Sequence, residues 1–168
     1  DLEHYDPTGA GRRIEAFVED LSNWYVRRSR RRFWKSESDE DKLAAHHTLY
    51  QCLVTVSKLL APFCPFMSEE IYRNLVVRPD PDAPASVHLT DFPVADESRI
   101  DSDLAAATKL AIRLSSLGRA ARAKAGIKVR QPLGHALVMV TSEREQKMVH
   151  RIASQVLEEL NVKRLEVA

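Results

Sequence analysis

The placing of its prolines constrains this chain most. Pro62 and Pro65 stand three residues apart, and Pro79, Pro81, Pro84 and Pro93 crowd the stretch 78–100. Proline lacks an N–H and fixes φ, so neither helix nor sheet runs through these places. The runs between them keep a helical period. Ile14, Phe17, Val18, Leu21, Trp24 and Tyr25 recur at i, i+3, i+4 in a predicted helix over 9–31, with Thr8 as its expected N-cap. A second helix is predicted over 39–60, with Ser38 as N-cap and acids in its first turn. Leu43, His47, Tyr50, Leu53, Val54 and Ser57 make one face of it. Leu49, Cys52, Val56, Leu59 and Leu60 widen that face, as in the central helix of a bundle. A third helix follows Pro65, anchored by Phe66, Met67, Ile71, Leu75 and Val76. A fourth, over 101–124, is capped by Asp101 or Ser102. Its stripe of Leu104, Ala107, Ala111, Leu114, Gly118 and Ala121 permits close packing, and Gly126 stops it.

The tail changes period. Residues 128–133 and 136–141 read as short strands, Ser142 opens a helix to about Leu160, Asn161 ends it, and 162–167 reads as a further strand. The predicted fold is therefore mainly α. A helical bundle over 1–125, including an extended connection over 78–100, precedes a small α+β subdomain over 126–168. That subdomain is a β-α-β appendage with a buried sheet of two or three strands. Lys35-Ser36-Glu37 is a short connection, and Ser86-Val87-His88-Leu89 is an extended piece laid on the bundle.

The chemistry concentrates at the end of the first helix. Arg27, Arg28, Arg30, Arg31 and Arg32 fall within six residues, flanked by Trp24, Tyr25, Phe33 and Trp34, and no acid occurs from Arg27 to Lys35. Guanidinium forks take phosphates, and aromatic planes stack on unpaired bases, so this pattern points to a nucleic-acid surface. An ordinary amphipathic helix with an arginine polar face is the alternative. Arg28 continues the apolar stripe, which suits a buried ion pair or a cleft edge, whereas Arg27, Arg30 and Arg31 fall on the other side. Net charge is segregated: +2 over 1–35, −8 over 36–103, +7 over 104–142 and zero over 143–168. Two basic blocks in a chain of net charge +1 suit a polyanion held on chosen faces.

Other chemistry finds no footing in the sequence. Cys52 and Cys64 stand twelve apart without a close pair, and read as buried thiols of a reducing cytosol. His46, His47 and Cys52 lack a fourth ligand at a metal-binding spacing. No phosphate-loop, dinucleotide or H-E-x-x-H motif occurs. No apolar run approaches the roughly 18–20 residues that span a bilayer.

Asn23-Trp24-Tyr25-x-Arg27-Arg28-Ser29-Arg30-x-Arg32-Phe33-Trp34 resembles the signature of the anticodon-binding domain of isoleucyl-tRNA synthetases. Ala61-Pro62-Phe63-x-Pro65-Phe66-x-Ser68-Glu69-Glu70, Ser86-Val87-His88-Leu89, Lys128-Val129-Arg130-Gln131-Pro132-Leu133 and Glu159-Leu160-Asn161-Val162-Lys163 resemble the same family, in the family's order. Valyl and leucyl relatives are looser matches. The resemblance implies a fragment of a longer enzyme, beginning at the end of the family's first helix at Leu2-Glu3-His4-Tyr5. It implies recognition of the anticodon stem-loop of isoleucine tRNA by a cytoplasmic, monomeric ligase. That ligase's catalytic domain, in the same chain, would use ATP and Mg. The HIGH and KMSKS signatures are absent, so no catalytic residue and no cofactor is expected in this fragment. Expected tRNA contacts are Arg27, Arg30, Arg31 and Arg32, with Trp34 for stacking. A second surface holds Lys124, Lys128 and Arg130, with Gln131 as a reader of base edges. A helical docking module for acidic protein partners is the competing function.

Overall fold

A computed structural model describes residues 2–35 and 38–168, and the protein is mainly α-helical. It divides into two compact units, Asp1–Ala95 and Asp96–Ala168. Helix α5 groups with the C-terminal segment, whereas the sequence reading set a boundary after 125. The expected connection at 36–37 lies outside the described residues.

In the first unit, α1 (Pro7–Asp20) is capped by Asp6, whose carboxylate accepts from the Gly9 N–H at 2.8 Å, with Pro7 at the first helical position. Asp6, not the expected Thr8, takes the cap because proline fits the next position, where no N–H is needed. The helix widens into a π turn at Leu21–Val26 and continues as α2 (Arg27–Lys35). It therefore runs past the expected end at Arg31 and carries Phe33 and Trp34 as helical residues. The π turn holds one residue more than an α turn and rotates everything after it. Ser29 becomes the buried position, 5% exposed, in place of Arg28.

Helix α3 (Asp39–Leu60) starts at Ser38, whose hydroxyl accepts from the Asp41 N–H at 3.3 Å. Its buried residues are Ala45, Val56 and Ser57, and the expected face members Leu43 and Tyr50 are exposed. Ring size explains the change of face. The Tyr25 hydroxyl donates to the Ala45 carbonyl at 3.1 Å, and Phe33 stands edge-on to Tyr25 and to His46, with centroids 6.5 and 5.0 Å apart. Two rings need a small residue opposite, and Ala45 is fully buried.

Helix α4 (Pro65–Tyr72) packs on α3 and runs into a second π turn, Arg73–Val77. Ser68 and Tyr72, four residues apart on one face, are its buried residues. The expected anchors Phe66 and Met67 sit in the first turn, 91% and 63% exposed. Cys64, expected to be buried, is exposed just before α4. Cys52 is half-buried, and burial raises its thiol pKa.

The segment expected to lie extended on the bundle forms a single 3-10 turn, Val87–Leu89. The Glu69 carboxylate accepts from the Ser86 hydroxyl at 2.7 Å and the Val87 N–H at 3.0 Å, and the Val87 side chain is buried beneath. The Ser86 hydroxyl, followed by the Val87 N–H, holds the Glu69 pKa below the usual value. A lowered folded-state pKa adds stability that is complete above the ordinary glutamate value of about 4.3 and fades as pH falls through the folded value. Glu69→Gln keeps an acceptor but loses the charge. The parent should therefore be the more stable at pH 7, and the gap should close in acid. Denaturant melts across pH check this; a gap that widens in acid contradicts it.

In the second unit, α5 (Ser102–Lys124) is capped by Asp101, which accepts from the Leu104 N–H at 2.8 Å. It packs along α6 (Glu143–Leu160), capped by Ser142. Ala107, Ala111 and Ser115 face Val149, Ile152 and Val156 in the core. A methyl group at Gly118 would collide with the Leu160 Cδ atoms, so a larger residue there would force the Leu160 side chain to move. Helix α6 crosses between parallel strands β1 (Ala136–Val138) and β2 (Leu165–Val167), with Ala136 opposite Leu165, Leu137 opposite Glu166 and Val138 opposite Val167. A single bridge joins Leu133 to Val162. The expected strand over 128–133 is instead a loop, and the sheet is only half-buried: Leu137 and Glu166 turn outward, Leu137 at 60% exposed, while the residues on either side of them are half-buried. Its open side lies beside an apolar groove of ≈ 480 Å³ along α5, lined by Leu114, Leu117 and Ala121.

Candidate nucleic-acid interface

Helix α2 sorts its arginines by face. Residues 27, 30, 31 and 34 follow the i, i+3, i+4, i+7 spacing of one helical face, and all four side chains are exposed. Trp34 is 81% exposed, a large apolar plane turned to water at the end of the arginine run. Arg27 Nε donates to the Asn23 carbonyl at 2.8 Å, which steadies the base of this face. No hydrogen bond or ion pair among the described residues engages Arg30 or Arg31. The stripe across the helix, formed by Tyr25, Ser29 and Phe33, turns towards α3.

Two arginines lie apart from that face. Arg28 is half-buried, with its guanidinium carbon 5.1 Å from the Trp24 ring centroid, a cation–π distance. Arg32, expected as an RNA contact, grips Asp41 at the start of α3. Nε and Nη2 reach the carboxylate oxygens at 2.7–3.1 Å, and both side chains are part-exposed. The hydrogen bond to Asp41 raises the Arg32 pKa. The fork thus ties the last turns of α2 to α3 and fixes the direction in which Arg30, Arg31 and Trp34 point. Asp41 was not singled out from the sequence; its only signal was an acid three residues after a capping serine.

The second expected surface lies in the second unit. Lys124 ends α5, Gly126 turns the chain with φ +68°, and Lys128, Arg130 and Gln131 follow, all exposed. Two side chains that the sequence reading did not name as site residues hold the backbone of this loop. Arg122, 5% exposed, donates to the carbonyls of Lys128, Leu160 and Asn161 at 3.1, 2.7 and 3.2 Å. Asn161, in the left-handed region at φ 50°, donates its amide to the carbonyls of Val129 and Arg130, both at 3.0 Å. Arg119, half-exposed, pairs with buried Glu159 at 2.9 Å. Among the described residues, no group of three His, Cys, Asp or Glu is placed to hold a metal ion, and no helix is long and apolar enough to cross a membrane.

One face of guanidinium groups beside an open aromatic ring has the chemistry that suits a phosphate backbone with unstacked bases. Comparison with known proteins narrows that reading. The family described as "Anticodon-binding domain of tRNA ligase" matches residues 1–138, and the chain belongs to this family. It is 62% identical to the isoleucine–tRNA ligase of Dehalococcoides mccartyi over 99% of its own length and 16% of that ligase. It is 48% identical to that of Thermus thermophilus and 47% identical to that of Clostridium novyi, each over 99% of the chain and 16% of the ligase. The chain therefore spans about a sixth of the length of the curated relatives it matches.

Proposed function

We propose that this chain holds the anticodon stem-loop of an isoleucine tRNA, as one part of an isoleucine–tRNA ligase. The observation that carries this reading is the exposed face of Arg27, Arg30, Arg31 and Trp34 in a member of the anticodon-binding family. Arginine forks on this face take loop phosphates or base edges, and Trp34 stacks on an unpaired base. Arg32 contributes beside them through its grip on Asp41. Lys124, Lys128 and Arg130 add a second set of phosphate contacts, and Gln131 reads a base edge. A catalytic domain elsewhere in the polypeptide attaches isoleucine with ATP and Mg, in a cytoplasmic, monomeric enzyme.

The test is a titration of the chain with isoleucine tRNA, and with the same tRNA altered only in its anticodon, across a range of salt. Four to six phosphate contacts give a log–log slope of roughly −3 to −5 at about −0.7 to −0.9 per phosphate. The altered tRNA should bind more weakly. A flat salt response would overturn the reading and favour a docking module that binds through the apolar groove.

A further inference from the structure

Three consecutive carbonyls of the loop after α5, those of Lys128, Val129 and Arg130, accept hydrogen bonds from side chains six to thirty-two residues away. Arg122 takes the first and Asn161 the other two. A further turn bond closes the loop, from the Gln131 N–H to the Lys128 carbonyl at 3.0 Å. The same Arg122 guanidinium also takes the carbonyls of Leu160 and Asn161, so the loop and the end of α6 are fastened to one buried group. Carbonyl oxygens repel a phosphate. Engaging three of them in hydrogen bonds leaves a surface made of the exposed Lys128, Arg130 and Gln131 side chains, which are cationic or amide donors.

A loop left to itself samples many backbone states, and ordering it on binding costs conformational entropy at every residue. Here the order is imposed before any partner arrives, by side chains whose donors are already committed to the loop's own carbonyls. We infer that Asn161 and Arg122 are positioning residues for RNA recognition, holding the 128–131 loop in the shape that presents Lys128, Arg130 and Gln131 to a phosphate backbone. This rests on the tRNA-binding reading above. The helix-ending role of Asn161 is separable from the positioning role. Glycine also adopts its left-handed backbone at no steric cost but has no amide to donate.

The experiment measures affinity for isoleucine tRNA, its salt slope and the melting temperature for the parent, Asn161→Gly and Asn161→Asp. Aspartate keeps the size and tolerates the backbone but, as a carboxylate, donates nothing. Binding is read well below the lowest melting temperature, so a lost fold cannot mimic a lost contact. Both variants are expected to bind about fivefold more weakly, near the worth of one ordinary hydrogen bond. Their salt slopes should be flatter by roughly 0.7–0.9 for each phosphate contact released. Arg130→Ala should cost less in the Asn161→Gly background than in the parent, because the loop is already misplaced. A purely structural Asn161 would lower the melting temperature and leave slope and coupling unchanged, which overturns the inference. If Lys128→Ala and Arg130→Ala leave binding intact while Arg30→Ala weakens it, the inference falls and the tRNA reading stands. If the parent itself fails to bind, both fall.

Discussion

Arg122→Met is expected to lower the unfolding free energy of the second unit by about 3 kcal/mol, a large share of the roughly 5–15 kcal/mol that holds a typical domain together. Methionine fills much the same volume, so the loss does not come from a cavity. It comes from acceptors. The Asn161 carbonyl keeps the Leu133 N–H at 3.1 Å, and the Lys128 carbonyl keeps the Gln131 N–H at 3.0 Å. The Leu160 carbonyl, at the end of α6, loses the 2.7 Å bond that Arg122 gives it. A buried acceptor left unpaired costs about 1–3 kcal/mol, and a cation removed from a helix C-terminus costs about 0.3–1 more. Lys124→Met, two residues on and exposed, should stay within about 0.5 kcal/mol of the parent. Urea melts of the three proteins decide this. An Arg122→Met curve lying on the parent's would mean that the loop and the end of α6 are not fastened as described.

The second large effect is on binding. Arg30→Ala and Arg31→Ala together should weaken isoleucine tRNA binding by roughly 10- to 100-fold, since each removes a charge-assisted contact worth about 1.5–3 kcal/mol at best, partly replaced by neighbours. The melting temperature should hardly move, because both side chains are exposed and no hydrogen bond or ion pair among the described residues engages them. Arg28→Ala provides the contrast. From the stripe alone it would strand a buried acid. With the half-buried guanidinium over Trp24 it should cost at least the roughly 0.5–2 kcal/mol of a cation–π contact, and so lower the melting temperature where the Arg30 and Arg31 substitutions do not. A pair of substitutions that unfolds the protein, or that leaves binding within twofold, would remove α2 as the interface.

What the sequence determined by itself was local. Ser38 and Asp101 signalled their helices because a cap is a matter of one side chain and the next turn. Gly126 and Asn161 signalled helix ends because left-handed backbone is a property of single residues. The prolines at 62, 65 and 79–93 forbade long elements by their own chemistry, and Asn23–Trp34 carried the resemblance because so many consecutive residue types in a fixed order rarely coincide by chance. The grouping of Arg27, Arg30 and Arg31 was also readable, since they share a side of any helix, whereas Trp34 joined them only because the helix runs on past Arg31.

Only the tertiary structure decided which long-range partner each polar group found. The phase after Leu21 changed because a π turn adds a residue without a mark in the pattern. Ala45 replaced Leu43 and Tyr50 as the buried residue of α3 because two rings arrived from the preceding helix. Residues 128–130 became a loop because their carbonyls are satisfied by side chains instead of a neighbouring strand, and only Leu133 keeps a bridge to Val162. Arg122 is indistinguishable in sequence from Arg119, three residues before it. One lies half-exposed against Glu159, and the other is buried among carbonyls from positions six to thirty-nine residues away. Burial of a charge depends on where distant backbone acceptors converge, and that convergence exists only once the chain has folded.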